Sequence, residues 1–168
     1  MGEPGGKTAS RVYRGGDDAS GLAFAIVVSR YHEYITERLL EGSETVLSER
    51  GASRVDVAWV PGALEIPVVA RRLAALGTYS AVICLGCVIK GETLHFELVA
   101  HNTAAGIANA AAETGVPLIN GVLAVFDPAH AAARISGTEN RGEEAARAAI
   151  QMATLMRSLP TAPPAAGI

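Results

Sequence analysis

Leu73-Ala-Ala-Leu-Gly-Thr-Tyr-Ser-Ala-Val-Ile-Cys-Leu-Gly-Cys-Val-Ile89 is the longest stretch of the chain without a charge, bounded by Arg72 and Lys90. It poses a choice between a membrane span and buried elements of a soluble domain. The run falls just short of the length a spanning helix needs, and Gly77, Thr78, Tyr79, Ser80 and Gly86 interrupt it. Only its Val/Ile-rich second half is continuous, and that half has the length of a strand. A helix end, a turn and a buried strand therefore account for it better than a membrane segment does.

Similar runs recur outward from this one. Leu22 to Val28, Val55 to Val60, Ala81 to Leu85 and Pro117 to Phe126 read as four strands, and their nearly continuous apolarity implies burial on both faces. Between and after them, Glu33 to Arg50, Leu64 to Leu76, Thr93 to Glu113, Pro128 to Ile135 and Glu143 to Leu159 carry helix formers with apolar residues three and four apart. Strands alternating with helices predict a three-layer α/β/α sandwich of flavodoxin-like type, with a four-stranded parallel sheet and helices on both faces. Ligands of such sheets bind beyond the carboxyl ends of the strands, so the loops there are the places to look for chemistry.

At 168 residues and 17.3 kDa the chain suits one domain. We expect that domain over residues 21–159, with flexible tails at 1–20 and 160–168. Hydrophobic residues make up 49% of the chain and aromatic ones only 5%, which excludes a disordered protein and puts the apolar mass in Ala, Val, Leu and Ile. A net charge of -3 provides no basic stripe for nucleic acid. The first twenty residues lack the apolar core of a signal peptide, and Cys84 and Cys87 suit a reducing compartment, so a cytoplasmic protein is expected.

The loop after the first strand carries Tyr31 and His32. Tyr31 suits stacking on a planar ligand with His32 offering hydrogen bonds at its edge, or, as the favoured reading of this loop alone, packing over the sheet end. After the second strand, Pro61-Gly62 makes a turn that leaves the amides of Ala63, Leu64 and Glu65 free at a helix start. Those amides and the Glu65 carboxylate suit a polyhydroxylated ligand, although an acid in a first helical turn also complements the helix dipole.

Gly86-Cys87-Val88-Ile89-Lys90-Gly91-Glu92-Thr93 follows the third strand. It resembles a Walker A loop, but Glu92 stands where the phosphate-gripping Lys must be. Cys84 and Cys87 have redox spacing, yet Cys84 lies within a strand rather than at a helix N-terminus. Adding His95 and His101 leaves a central gap too short for a zinc finger, so no metal is expected. The remaining reading is a phosphate site made by Gly91, Glu92 and Thr93 at a helix start, with Lys90 adding charge. His95, in the first helical turn, is then a candidate proton carrier or a structural histidine. The last loop region adds Asn120 within the fourth strand, and Arg134 and Arg141 flanking a Gly-containing turn. The two arginines read as a clamp for oxygen anions or as surface charge.

Taken together, VPGALEIP at 60–67, GCVIKGETLHF at 86–96, VPLINGVL at 116–123 and NRGEEA at 140–145 closely resemble lumazine synthase, in that family's order and spacing from about Leu22 to Leu159. The resemblance implies condensation of 5-amino-6-(D-ribitylamino)uracil with 3,4-dihydroxy-2-butanone 4-phosphate, releasing phosphate and water, in riboflavin biosynthesis. It implies no metal or organic cofactor. Tyr31 then takes the stacking position, Ala63, Leu64 and Glu65 hold the ribityl chain, and Val88 and Ile89 border the ring. Lys90, Gly91, Glu92, Thr93 and Arg134 form the phosphate site, His95 transfers protons, and Arg141 faces the bound substrates.

The resemblance also implies a homo-oligomer, a pentamer or an icosahedral shell of pentamers. Its sites lie between subunits, with the Asn120 region supplied by the neighbour, and riboflavin synthase is a candidate partner. Five positions depart from the common family pattern: His32 for Asn, Leu64 for an aromatic, Lys90 for Arg, Asn120 for Phe and Arg141 for Lys. The loop from Arg134 to Gly142 is about one residue short. A non-catalytic flavin or lumazine binder on the same fold, or a shell-forming protein, is the competing class. Lys90, Thr93, His95 and Arg134 argue against a pure binder, which needs no second phosphate pocket.

Overall fold

Strand β1 (Ala23–Ser29) is buried along nearly its whole length, and its residues divide between two cores. Successive strand residues point to opposite faces, so Phe24, Ile26 and Val28 enter one core while Ala25 and Val27 enter the other. Strand β3 (Ala81–Ile89) divides likewise, sending Ala81, Ile83, Leu85 and Cys87 one way and Val82 and Cys84 the other. This two-sided burial is the physical cause of the continuous apolar runs. Full burial of side chains such as Phe24, Ile26, Ile83 and Leu85 contributes about 1.5–3 kcal/mol each.

The computed structural model describes residues 10–137 and 140–161. The other elements are β2 (Arg54–Val60), β4 (Leu118–Val125), α1 (Glu33–Glu49), α2 (Ile66–Ala74), α3 (His95–Thr114), α4 (Pro128–Ala133) and α5 (Arg141–Ser158), with a 3-10 turn at Ala63–Glu65 before α2. The sheet is wholly parallel in the order β2-β1-β3-β4. Helices α1 and α5 supply residues to the core on one face, and α2 and α3 to the core on the other. This is the three-layer sandwich expected from the sequence. Among the described residues no helix is long and apolar enough to cross a membrane, and Leu73 to Ile89 resolves into the end of α2, a turn and β3.

Several boundaries differ from the sequence reading. Strand β3 runs on to Ile89 rather than stopping at Leu85, because β4 pairs with it as far as Ile89 opposite Val125. Helix α3 starts at His95 rather than Thr93, and α5 at Arg141 rather than Glu143. The cause in α5 is Asn140, whose Oδ1 accepts from the amides of Gly142 and Glu143 and so caps the helix. Within the segment expected as an N-terminal tail, Ala19 is fully buried, and Gly16 exchanges hydrogen bonds with the Thr154 hydroxyl of α5.

Helices α1 and α5 meet closely because of two glycines. A Cβ on Gly142 would overlap the Leu39 carbonyl of α1, and one on Gly42 would fall 2.6 Å from Oδ1 of Asn140. Ser43 spans the same contact, its buried hydroxyl donating to the Gly142 carbonyl at 2.8 Å.

Candidate active site

The strand order puts a crevice between β1 and β3, where the chain changes direction across the sheet. Strand β1 last pairs with β3 at Val28 opposite Leu85, and β3 continues beyond that point alongside β4. The overhang forms a ledge at the carboxyl edge of the sheet. Over it lies a cavity of about 440 Å³, within the size range of small-molecule sites.

Four segments wall this cavity. Tyr31 and His32 come from the turn after β1, Ala63, Leu64 and Glu65 from the turn after β2, and Cys87, Val88 and Ile89 from the ledge. Gly91, Thr93 and His95, with Phe96 and Val99 of α3, close the remaining side. Backbone hydrogen bonds fix the segments to one another: Arg30 N donates to Val60 O at 2.8 Å, and Lys90 N to Val125 O at 2.9 Å.

Tyr31 is 68% exposed and free to meet a planar ligand. Its ring stands edge-on to that of His32, with centroids 4.8 Å apart and planes at 77°. His32 caps α1 in the left-handed region, at φ 60° and ψ 48°, and its carbonyl accepts from Ile35 N and Thr36 N. Left-handed backbone is tolerated best by Gly, then by Asn, Asp and His, so a histidine can occupy this cap. Burial pushes the His32 imidazole below its ordinary pKa, because desolvation penalises the cation.

At the opposite wall His95 occupies the first turn of α3, and its amide faces the Thr93 hydroxyl at 3.4 Å. Lys90 and Glu92 do not border the cavity. The Lys90 ammonium turns aside, 3.4 Å from the Glu97 carboxylate and 5.3 Å above the Phe126 ring, which itself lies against Phe96 at 5.9 Å. The Glu97 carboxyl is held below the usual range by its own backbone N–H and by Lys90.

Asn120, Arg134 and Arg141 are brought together elsewhere, at a second cavity of about 380 Å³. Every residue from Ile119 to Val125 borders it, with Glu144, Ala145 and Ala148 of α5 opposite. Consecutive strand residues face opposite sides, so a groove touching all seven runs along the free edge of β4 rather than over either face. Arg134 Nη1 donates to the His130 carbonyl at 2.8 Å, and Arg141 pairs with Glu144.

His32 joins Tyr31 at the cavity as its loop suggested, while Cys87, Phe96 and Val99 were not anticipated as cavity residues. Phe96 and Cys87 fall inside the quoted GCVIKGETLHF motif, so their neighbourhood was the signal; Val99, one turn further along α3, had none. Cys84 and Cys87 are free, and they face opposite sides of the sheet. Among the described residues no three His, Cys, Asp or Glu side chains gather as a metal site would require.

Fold and cavity define an α/β protein with a cavity of small-molecule size at the switch point of a parallel sheet. The chain belongs to the 6,7-dimethyl-8-ribityllumazine synthase family, whose model matches residues 21–157. It is 45% identical to the 6,7-dimethyl-8-ribityllumazine synthase of Thermococcus onnurineus over 149 residues, covering 89% of this chain and 98% of that one. It is 47% identical to the same-named protein of Thermosynechococcus vestitus over 145 residues, covering 83% and 82% of the two chains.

Proposed function

We propose that this chain joins 5-amino-6-(D-ribitylamino)uracil to 3,4-dihydroxy-2-butanone 4-phosphate, giving 6,7-dimethyl-8-ribityllumazine for riboflavin biosynthesis. The observation that carries the reading is the meeting of Tyr31, Ala63 to Glu65, Val88, Ile89, Gly91, Thr93 and His95 around one cavity in a chain of this family.

In this reading the pyrimidine stacks on Tyr31 and lies against Val88 and Ile89, while the ribityl hydroxyls meet the Ala63 to Glu65 turn and the Glu65 carboxylate. The phosphate sits toward Gly91 and Thr93, while Lys90 and Glu92 stay outside the cavity wall. The primary amine adds to the ketone carbonyl, and water leaves as the imine forms. Loss of a proton from the neighbouring carbon then expels phosphate, and the second nitrogen closes the ring with loss of another water. In this reading His95, which lines the cavity, carries protons in the first two steps. Holding an amine beside a ketone supplies much of the acceleration, since the pair condense readily once positioned.

Arg134, Arg141 and Asn120 complete the site in this reading only across a subunit boundary. In one chain they border a different cavity from Tyr31 and His95. A neighbouring copy docked along the free edge of β4 would bring the two half-sites together and cover an edge that proteins rarely leave open. Helix α3 supports the same assembly: of its twenty residues only Thr103, Ile107 and Ala110 are buried, although the helix is rich in alanine. A pentamer, or a shell of pentamers, follows from this reading. So do a cytoplasmic setting, where thiols such as Cys84 and Cys87 stay reduced, and riboflavin synthase as protein partner.

The test is to mix the purified protein with both substrates and follow lumazine fluorescence, with light scattering for assembly size. Absence of product would overturn the catalytic reading, and an active monomer would overturn the shared site.

A further inference from the structure

Asn140 ties together more of the structure than a helix cap requires. Its Oδ1 accepts from Gly142 N at 2.8 Å and Glu143 N at 3.3 Å, which is ordinary capping. Its Nδ2 meanwhile donates to the Arg38 carbonyl of α1 at 3.2 Å and to the Ile135 carbonyl at 3.3 Å. One carboxamide thus links α1, the segment after α4 and the first turn of α5. Both arginines of the second cavity adjoin these anchor points: Arg134 precedes Ile135, and Arg141 follows Asn140.

The surrounding surface is shaped for this side chain. Gly42 leaves the space in which the carboxamide lies, and Ser43 holds the Gly142 carbonyl. The amide of Arg141 also donates to the Arg134 carbonyl at 2.9 Å. An arginine whose backbone is already fixed loses less freedom when it grips an anion than one on a loose loop.

We propose that Asn140 is a positioning residue, whose carboxamide sets the spacing of Arg134 and Arg141 and so the anion-binding geometry of the β4-edge cavity. It rests on the proposed reaction only for the identity of the anion, the phosphate ester of the ketone substrate.

The test uses the full chain with Asn140→Ser, which keeps a capping oxygen but lacks the carboxamide N–H donors, and Asn140→Asp, which sets a carboxylate oxygen against the two carbonyls. For Asn140→Ser we expect KM for the phosphate-bearing ketone to rise about tenfold while KM for the uracil and kcat stay within about threefold. Asn140→Asp should be at least as impaired. Combining Asn140→Ser with Arg134→Ala should fall short of the product of the two single effects, because part of the Asn140→Ser loss acts through Arg134. Hydrogen exchange at the Arg141 amide should quicken more than at the amides of the β-sheet.

Equal KM rises for both substrates, multiplicative effects in the double variant, or unchanged exchange at Arg141 would overturn the proposal. If the unaltered protein makes no product, the catalytic reading falls separately. The exchange measurement then decides the role of Asn140: quickening confined to the Arg141 region upholds it, and unchanged exchange there, or uniform quickening that includes the sheet, overturns it.

Discussion

The backbone amide of Arg141 donates to the carbonyl of Arg134 at 2.9 Å, so two residues seven apart in sequence stand side by side at the edge of β4. Arg134→Ala removes a guanidinium from that pair while leaving the backbone link in place. Hydrogen bonds to charged groups contribute about 1.5–3 kcal/mol, so KM for the phosphate-bearing ketone should rise about tenfold or more, with KM for the uracil little changed. Steady-state kinetics with each substrate varied in turn checks this; equal rises for both would contradict a phosphate role.

His95→Ala should lower kcat by about 10²-fold or less, with both KM values largely kept, because proton transfer is only one part of a condensation that positioning already favours. Single-turnover measurements separate the chemical step from product release, and a fully active variant would remove His95 from the mechanism.

Tyr31→Ala should weaken the uracil about twofold to tenfold, since aromatic stacking contributes about 0.5–1.5 kcal/mol beyond buried area. Tyr31→Phe should bind as the unaltered protein does. Fluorescence titration with the lumazine product measures both, and a tightly binding Tyr31→Ala variant would sink the stacking role.

His32 gives a stability prediction with a definite sign. Its folded pKa lies below its ordinary value of 6.5, so as pH falls through that value the unfolded chain takes up the proton first. The histidine therefore costs stability below about pH 6.5, and nothing at higher pH. His32→Asn, which suits the left-handed cap, should be more stable than the parent at pH 5 and show a smaller gap at pH 8. Urea midpoints at the two pH values measure it; a gap independent of pH would refute the buried-imidazole account.

Gly142→Ala should destabilise the fold, because its Cβ overlaps the Leu39 carbonyl and α5 must move off α1. Overpacking of this kind costs about 1–3 kcal/mol, readable as a lowered urea midpoint.

The alternation of strands and helices was legible because β1 and β3 are buried on both faces and so carry unbroken apolar runs. The end of β3 was not, because Gly86 reads locally as a turn. Its reason is tertiary: a Cβ there would come within 3.2 to 3.3 Å of Ile66, Ser29 and Val122, and the strand passes straight through. The segments at Tyr31, Ala63 to Glu65 and Val88 to His95 could be read as one site, since a parallel sheet delivers its carboxyl ends to a common edge. The sequence pattern does not specify strand order, however. With β4 at the rim, Asn120, Arg134 and Arg141 border their own groove, and Lys90 spends its charge on Glu97 and Phe126.

Cys84 and Cys87, set on opposite faces of β3, cannot be joined to each other without dismantling the strand. Burial raises their thiols to about 12 and about 11 respectively, so at neutral pH neither is a ready nucleophile. Only Cys87 borders the candidate site. A thiol-alkylating reagent would thus read two clocks in one molecule, with label at Cys87 timing local breathing of the cavity wall and label at Cys84 timing the rarer opening of the central sheet.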